Sequence, residues 1–432
     1  MNEETRQPHV LHISALKLWG MKGNAGMCCL QETLSGQFTA GYRISVIVPA
    51  YSLWDNGVTP IIPTSTADYD VYVAPCRWMP MAKRVRSRLD RLKGNILPFV
   101  IGWFFGVSRL MLLTLSLFLT ARKVKKKHGL KFDMVYAHNQ WAAPAGWLLG
   151  KHFGVPNISR LYGTFLADLM KKPLVWLRYP IAAAGFLVPH DLLICANDGT
   201  RGDEVARKLG IKLDRFRFWQ DGVDDHPHAE SPSREIFLET APSCLRKEAF
   251  WILSCSRLSY WKRIDRMIHA LHHARNQGAD CQLVVAGDGQ ERQPLKELAE
   301  RLGVADQIGW LGAVPHAEVP KLMDLVDIFM ITNDVTNRCN PLFEAMRAGL
   351  PVVSIRDTST ADLLKEEENA LLANRDDTEA LGHHLATICN DRALAARLRD
   401  QQKLQADLLW NWEQRMEVEI TELQKLIDMN PS

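Results

Sequence analysis

Several signatures that would fix a function class at once are missing from this 432-residue chain. Its nine cysteines form no Cys-x-x-Cys pair and fall at no His/Cys ligand spacing, which excludes a zinc site and points to free thiols in a reducing compartment. No Gly-x-Gly-x-x-Gly follows a strand, which disfavours a dinucleotide cofactor. The opening Met-Asn-Glu-Glu-Thr-Arg lacks the basic-then-apolar order of a signal peptide, so a cytoplasmic location is expected. Repeats of 20–50 residues and low-complexity tracts are absent. What remains is the composition of a soluble globular protein, too long for one ordinary core, so two domains are expected.

Charge is unevenly spread. Residues 1–220 carry an excess of 15 positive charges and the remainder an excess of 12 negative, which together give the formal +3. Such asymmetry speaks about partners, not fold. No nucleic-acid-binding signature accompanies the basic half, so nucleic acid is not an expected partner. A basic run (Lys83, Arg84, Arg86, Arg88, Arg91, Lys93) precedes an almost wholly apolar stretch, Ile96 to Ala121, and Arg122, Lys123, Lys125, Lys126 and Lys127 follow it. Length alone allows a membrane span. A single crossing, however, would separate strands that belong to one sheet. Three placements stay open: flat in the membrane interface, re-entrant, or a buried helix of the domain. The flanking cations favour segment 83–127 meeting an anionic membrane surface, peripherally on the inner face.

Strand patterns run through the first half at Val10–Ser14, Ile44–Pro49, Val71–Ala74, Asp133–His138, Val155–Gly163, Leu192–Asn197 and Arg215–Trp219. A glycine-rich turn, Gly20 to Gly26, separates the first strand from the first helix and lets backbone approach a ligand closely. His138 ends a parallel strand, where a ring can hydrogen-bond an acceptor or a departing phosphate; a structural histidine is the plain alternative. Polar, Pro-rich text from 223 to 248 reads as a linker.

The second half restarts with Phe250–Cys255, and its most informative stretch runs from Asp327 to Ile355. We read strand (Ile328–Ile331), loop, short helix (341–348) and strand (Pro351–Ile355). Asn340 suits an N-cap, Pro341 the first helical position, Gly349 the left-handed residue after the end, and Pro351 forbids continuation. Such a helix start beyond a parallel strand favours phosphate, and Glu344, one turn in, can accept hydrogen bonds from sugar hydroxyls. An ordinary βαβ turn with a surface Glu is the alternative.

Asn340-Pro341-Leu342-Phe343-Glu344-Ala345-Met346, then Gly349 and Pro351-Val352-Val353, resembles the donor-site signature of the retaining GT-B glycosyltransferases called family 4. Other fragments match in order: Gly23 with Asn24, His138, Tyr162-Gly163, Gln220-Asp221-Gly222-Val223-Asp224, Arg257 with Lys262, and Gly287-Asp288-Gly289. One departure stands out. Where the family carries a first Glu, eight residues before Glu344, this chain has Thr336.

The resemblance implies α/β architecture of the GT-B type. Two Rossmann-like domains face a cleft, with residues 1–222 holding the acceptor, 249–408 the nucleotide sugar, and a helix in 409–432 crossing back. It implies donor binding by Gly23, Arg257, Lys262, Gly287, Asn340, Pro341, Leu342 and Glu344. Arg257 and Lys262 hold the diphosphate and, with His138, form the catalytic set; two fixed cations steady the charge growing on the leaving phosphate. No metal and no cofactor are implied, the nucleotide diphosphate sugar being a substrate. The expected reaction is sugar transfer, with retained anomeric configuration, to a lipid-linked or polysaccharide acceptor. Alternatives are a same-fold nucleotide-sugar epimerase, or a donor-binding scaffold that lost catalysis through Thr336.

Overall fold

The computed structural model describes residues 7–16, 28–50, 69–76, 96–171, 174–223 and 231–430. Gly23 and the basic run 83–93 lie outside them. The described chain divides into two units: the first holds residues up to Asp221 and from Trp412 onward, the second Gly222–Asn411.

In the first unit the strands are β1 (His9–Ser14), β2 (Arg43–Pro49), β3 (Asp70–Ala74), β4 (Met134–His138), β5 (Asn157–Leu161), β6 (Leu192–Ala196) and β7 (Phe216–Trp219). They form one all-parallel sheet in the order β3-β2-β1-β4-β5-β6-β7. Near-continuous burial along β1, β4, β5 and β6 is what a sheet covered on both faces requires. The helices are α1 (Cys28–Thr39), α2 (Ile96–His128), α3 (Ala143–Phe153), α4 (Leu166–Leu169), α5 (Val175–Arg178), α6 (Pro180–Leu187) and α7 (Gly202–Lys208). The C-terminal helix, Trp412–Met429, lies on the sheet, with Leu423 buried among Val10, Met134, Tyr136 and Ile158.

α2 narrows the question left open by its sequence. Leu113, Leu117, Ala121 and Val124, at helical spacing, pack on Leu11, Ile13 and Ile47 of the sheet. The opposite stripe is exposed: Ile101, Phe104, Phe105, Met111, Leu112, Leu115 and Leu119, then Arg122, Lys123, Lys126 and Lys127. It is the one helix among the described residues long and apolar enough to cross a membrane, but its inner face is part of a sheet core. The helix, with its outer stripe exposed, is therefore not wholly buried in the domain.

In the second unit, β8 (Phe250–Cys255), β9 (Cys281–Ala286), β10 (Ile308–Gly312), β11 (Ile328–Ile331), β12 (Val352–Ile355) and β13 (Ala370–Ala373) form a parallel sheet in the order β10-β9-β8-β11-β12-β13. Around it lie α8 (Arg234–Leu238), α9 (Ile264–Asn276), α10 (Arg292–Arg301), α11 (Val319–Leu325), α12 (Asn340–Arg347), α13 (Thr378–Asn390) and α14 (Arg392–Ala406). Residues 231–248, expected as linker, instead belong to this unit. Leu245 is buried and Phe237 and Leu238 pack on the same core, while the Arg234 guanidinium reaches Asp327 at 2.6 Å and stacks over Trp251. Its polar, Pro-rich text hid three apolar anchors.

Candidate donor site

The site is built where β8 and β11 end. Beyond β8 the chain is laced to the turn after β9: Ser256 N–H donates to Ala286 O (3.1 Å) and Leu258 N–H to Asp288 O (3.0 Å). This lacing needs glycines. A Cβ on Gly287 would lie 1.8 Å from the Ser256 carbonyl oxygen, and one on Gly289 2.2 Å from that of Leu258. Gly287, expected beside the donor, thus has its open side against the chain's own backbone. Between the two bonded residues Arg257 is exposed and makes no ion pair among the described residues.

The turn carrying Lys262 is fastened to the end of β11. Asp334 N–H donates to Trp261 O (2.9 Å) and Thr332 Oγ1 to Arg263 O (3.0 Å). Arg263 adopts the left-handed conformation (φ 52°), uncommon for a residue with a side chain. Its guanidinium is anchored on Asp265 (2.9 Å) and Asp334 (3.2 Å). Arg266, one turn on, is neutralised by Asp334 and Asp376. Lys262 differs from both: its ammonium stands 4.3 Å from the centre of the Trp261 ring and meets no carboxylate among the described residues.

α12 follows β11 through a loop in which buried Asn337 accepts from Asn333 N–H and donates to Asp357 and Ser359. Its start departs from expectation. Cys339, not Asn340, occupies the cap position, its side chain accepting no capping hydrogen bond, and Asn340 and Pro341 are the first two helical residues. Pro341 has no N–H, and Leu342 and Phe343 both donate to the Cys339 carbonyl (2.9 and 3.3 Å). Leu342 is fully buried in the core. The helix therefore offers its dipole, not a fan of free donors, to an anion. Its end follows expectation: Gly349 (φ 68°) donates to Met346 O and Leu350 to Ala345 O.

Glu344 is almost enclosed, and its Oε1 meets His316 Nε2 at 3.1 Å. Cys255 reports on the charges around it. Burial first, then the Glu344 carboxylate, pushes its thiol up to about 12, while the Lys262 ammonium acts the other way. Both charges are thus within electrostatic reach of one sulfur at the end of β8, two residues before Arg257.

His138, in the first unit, is not part of an open site. Its ring is fully buried, with Nε2 2.9 Å from His12 Nδ1 and Nδ1 2.8 Å from the Tyr162 hydroxyl. One set of neutral tautomers satisfies the chain. His12 Nε2–H donates to Gln37, His138 Nε2–H to His12, and the Tyr162 hydroxyl to His138. Burial, then His12 and Arg160, hold His138 well below the usual imidazole range. With both nitrogens engaged it has no proton site for an acceptor, which corrects the expected catalytic role.

Residues 239–405 match the family described as Glycosyl transferases group 1. The matched stretch falls within the second unit. Among curated relatives, this chain is 25% identical over 257 residues to the 2-deoxystreptamine N-acetyl-D-glucosaminyltransferase of Streptomyces fradiae, covering 58% of this chain and 61% of the relative. It is 24% identical over 278 residues to the lipopolysaccharide core biosynthesis glycosyltransferase LpsE of Rhizobium meliloti, covering 64% and 72%. The chain thus spans less than two thirds of the first relative's length. Anabaena HepE, solved with UDP and glucose, superposes with a TM-score of 0.64 at 17% identity, covering 97% of this chain and all of that one. A likeness at that identity speaks for the fold, and the fold is GT-B.

Two features of the site were not read from the sequence. His316, partner of Glu344, lies 28 residues before it, and no periodicity links the two. Thr336 proves to be a loop residue: its hydroxyl accepts from Arg338 N–H (3.1 Å) and its carbonyl from Asn333 Nδ2 (2.9 Å). Where the resembling family places a carboxylate, this loop is closed by a neutral group.

Proposed function

We propose that the chain moves a sugar from a nucleotide diphosphate sugar to a lipid-linked or polysaccharide acceptor, with retention at the anomeric carbon and without a metal. One observation carries the donor half. In a unit that matches its neighbouring arginines with aspartates, Arg257 and Lys262 have no acid partner among the described residues. They stand at the strand ends where parallel sheets bind ligands. Two such cations suit a diphosphate and stabilise the charge it gains as its bond to the sugar breaks and the bond to the acceptor hydroxyl forms. The dipole of α12 adds to that field, and Glu344 takes the ribose. Single turnover with labelled donor tests this. Glu344→Ala and Lys262→Ala should each slow transfer; parental transfer by both would sink it. Donor changed without acceptor would mark an epimerase, and donor bound without turnover a scaffold.

The acceptor half rests on α2. Its outer stripe is apolar from Ile101 to Leu119 and cationic from Arg122 to Lys127. Exposed Leu174, Trp176 and Leu177 extend the apolar end, where Trp103 Nε1 donates to Leu177 O. Apolar side chains among the acyl chains and lysines at phosphate level suit peripheral attachment to an anionic, cytoplasmic membrane face, and hence an acceptor held there. Flotation with anionic vesicles tests it. Failure to bind, with equal transfer to soluble sugars, would remove the lipid-linked acceptor.

A further inference from the structure

Glu344 carries a device that the donor reading does not use. Its side chain is 7% exposed, Oε1 is held by His316 at 3.1 Å, and no hydrogen bond to Oε2 exists among the described residues. A carboxylate taken out of water is stable as an anion only with a hydrogen-bond donor. The imidazole supplies one, and it removes rotamer freedom that a ligand would otherwise have to quench. The Glu344 carboxylate, Cys339 and Lys262 all act on the Cys255 thiol. On the turn that carries His316, Glu318 is paired with Lys321 at 3.1 Å. His316 therefore stands as the donor that fixes one oxygen while the other is left for a ligand hydroxyl.

Resting on the donor-site reading above, we propose that His316 is a positioning residue: it holds the Glu344 carboxylate for the vicinal hydroxyls of a nucleotide's ribose and so sets the preference for ribo- over deoxyribonucleotides. The ring itself is 32% exposed and need not touch the ligand.

The test is calorimetric titration of the full chain with UDP and with 2′,3′-dideoxy-UDP, the guanosine and adenosine pairs being run alongside and the tightest pair used. The parent should prefer the ribose form by about tenfold or more, the worth of a hydrogen bond to a charged group. His316→Phe should lose most of that preference by weakening UDP alone, and His316→Gln, which retains an N–H donor, should restore much of it. Both variants should still unfold in one cooperative transition, His316→Phe at a somewhat lower midpoint because its carboxylate loses a donor. Equal weakening of both ligands would make His316 merely structural, and tighter UDP binding would make it a plug; either overturns the inference. Glu344→Ala separates the two layers. If it abolishes the ribose preference while His316→Phe keeps it, only this inference fails. If Glu344→Ala keeps it, or no nucleotide binds, the donor site itself is wrong.

Discussion

The two units share a Rossmann-like strand order but treat the polar residues at their strand ends in opposite ways. In the first, these residues are bonded to one another. Fully buried Arg160 meets Asp221 (2.5 Å), Glu419 (3.4 Å) and Thr33; Glu419 also receives Arg415 (2.9 Å) and the Tyr136 hydroxyl (2.8 Å). Burial would raise the Glu419 carboxyl, but Arg415 and Arg160 together hold it below the usual range. In the second, Arg263 and Arg266 are paired in the same manner, while Arg257 and Lys262 have no acid partner among the described residues. A cation closed into a network is part of the scaffold; a cation that a scaffold holds without an acid is available to an anion.

Alanine substitutions should expose this contrast most strongly. Lys262→Ala should lower single-turnover transfer by about a hundredfold or more, as loss of a charge-stabilising group does, with its unfolding midpoint near the parent's. Arg160→Ala should do the reverse at the level of folding. Glu419 and Asp221 would lose their common partner, a change that costs about 3–5 kcal/mol, read by denaturant titration. If Lys262→Ala unfolds the second unit, or Arg160→Ala leaves the first intact, the distinction is lost.

Acid should act on the first unit next. Burial lowers His9, His12 and His190 to about 4. Above the unfolded value near 6.5 neither state binds the proton, so nothing is lost. Between 6.5 and about 4 the unfolded chain takes protons that the folded one refuses. Stability then falls as pH falls, by at most about 1.4 kcal/mol per unit for each fully shielded ring, less for half-buried His190, and levels off below about 4. Hydrogen exchange of β1 and β4 across that range checks it. Protection that rises on acidification would contradict the buried neutral chain.

Much of this was legible from residues alone. Apolar strands ending in polar or glycine turns gave the two sheets, and Gly349 with Pro351 marked the end of α12. Other features were not. His138 reads as a strand-end residue facing ligand because sequence shows position but not the His12 and Tyr162 that enclose it. Arg160 amid an apolar strand calls for an acid, yet Glu419 lies 259 residues away. Residues 231–248 read as linker because Arg234 and the prolines mask the spacing of Phe237 and Leu245.

The smallest effect separates the two faces of α2. Leu115→Lys, on the exposed stripe, should change folding stability by no more than about 0.5 kcal/mol yet weaken vesicle flotation. Leu117→Ala, two residues on and fully buried, should cost about 2–5 kcal/mol and leave lipid binding of the folded fraction alone. The reverse pattern would assign the membrane to the wrong side.

The most direct test of Arg257 and Lys262 compares a nucleoside diphosphate with its monophosphate. By titration calorimetry the parent should bind UDP, or the GDP or ADP that proves tightest, far better than the matching monophosphate. Arg257→Ala and Lys262→Ala should shrink that ratio while leaving monophosphate affinity nearly unchanged. A ratio preserved in both variants would mean that these two side chains meet no diphosphate, and the assignment of the donor site would be refuted.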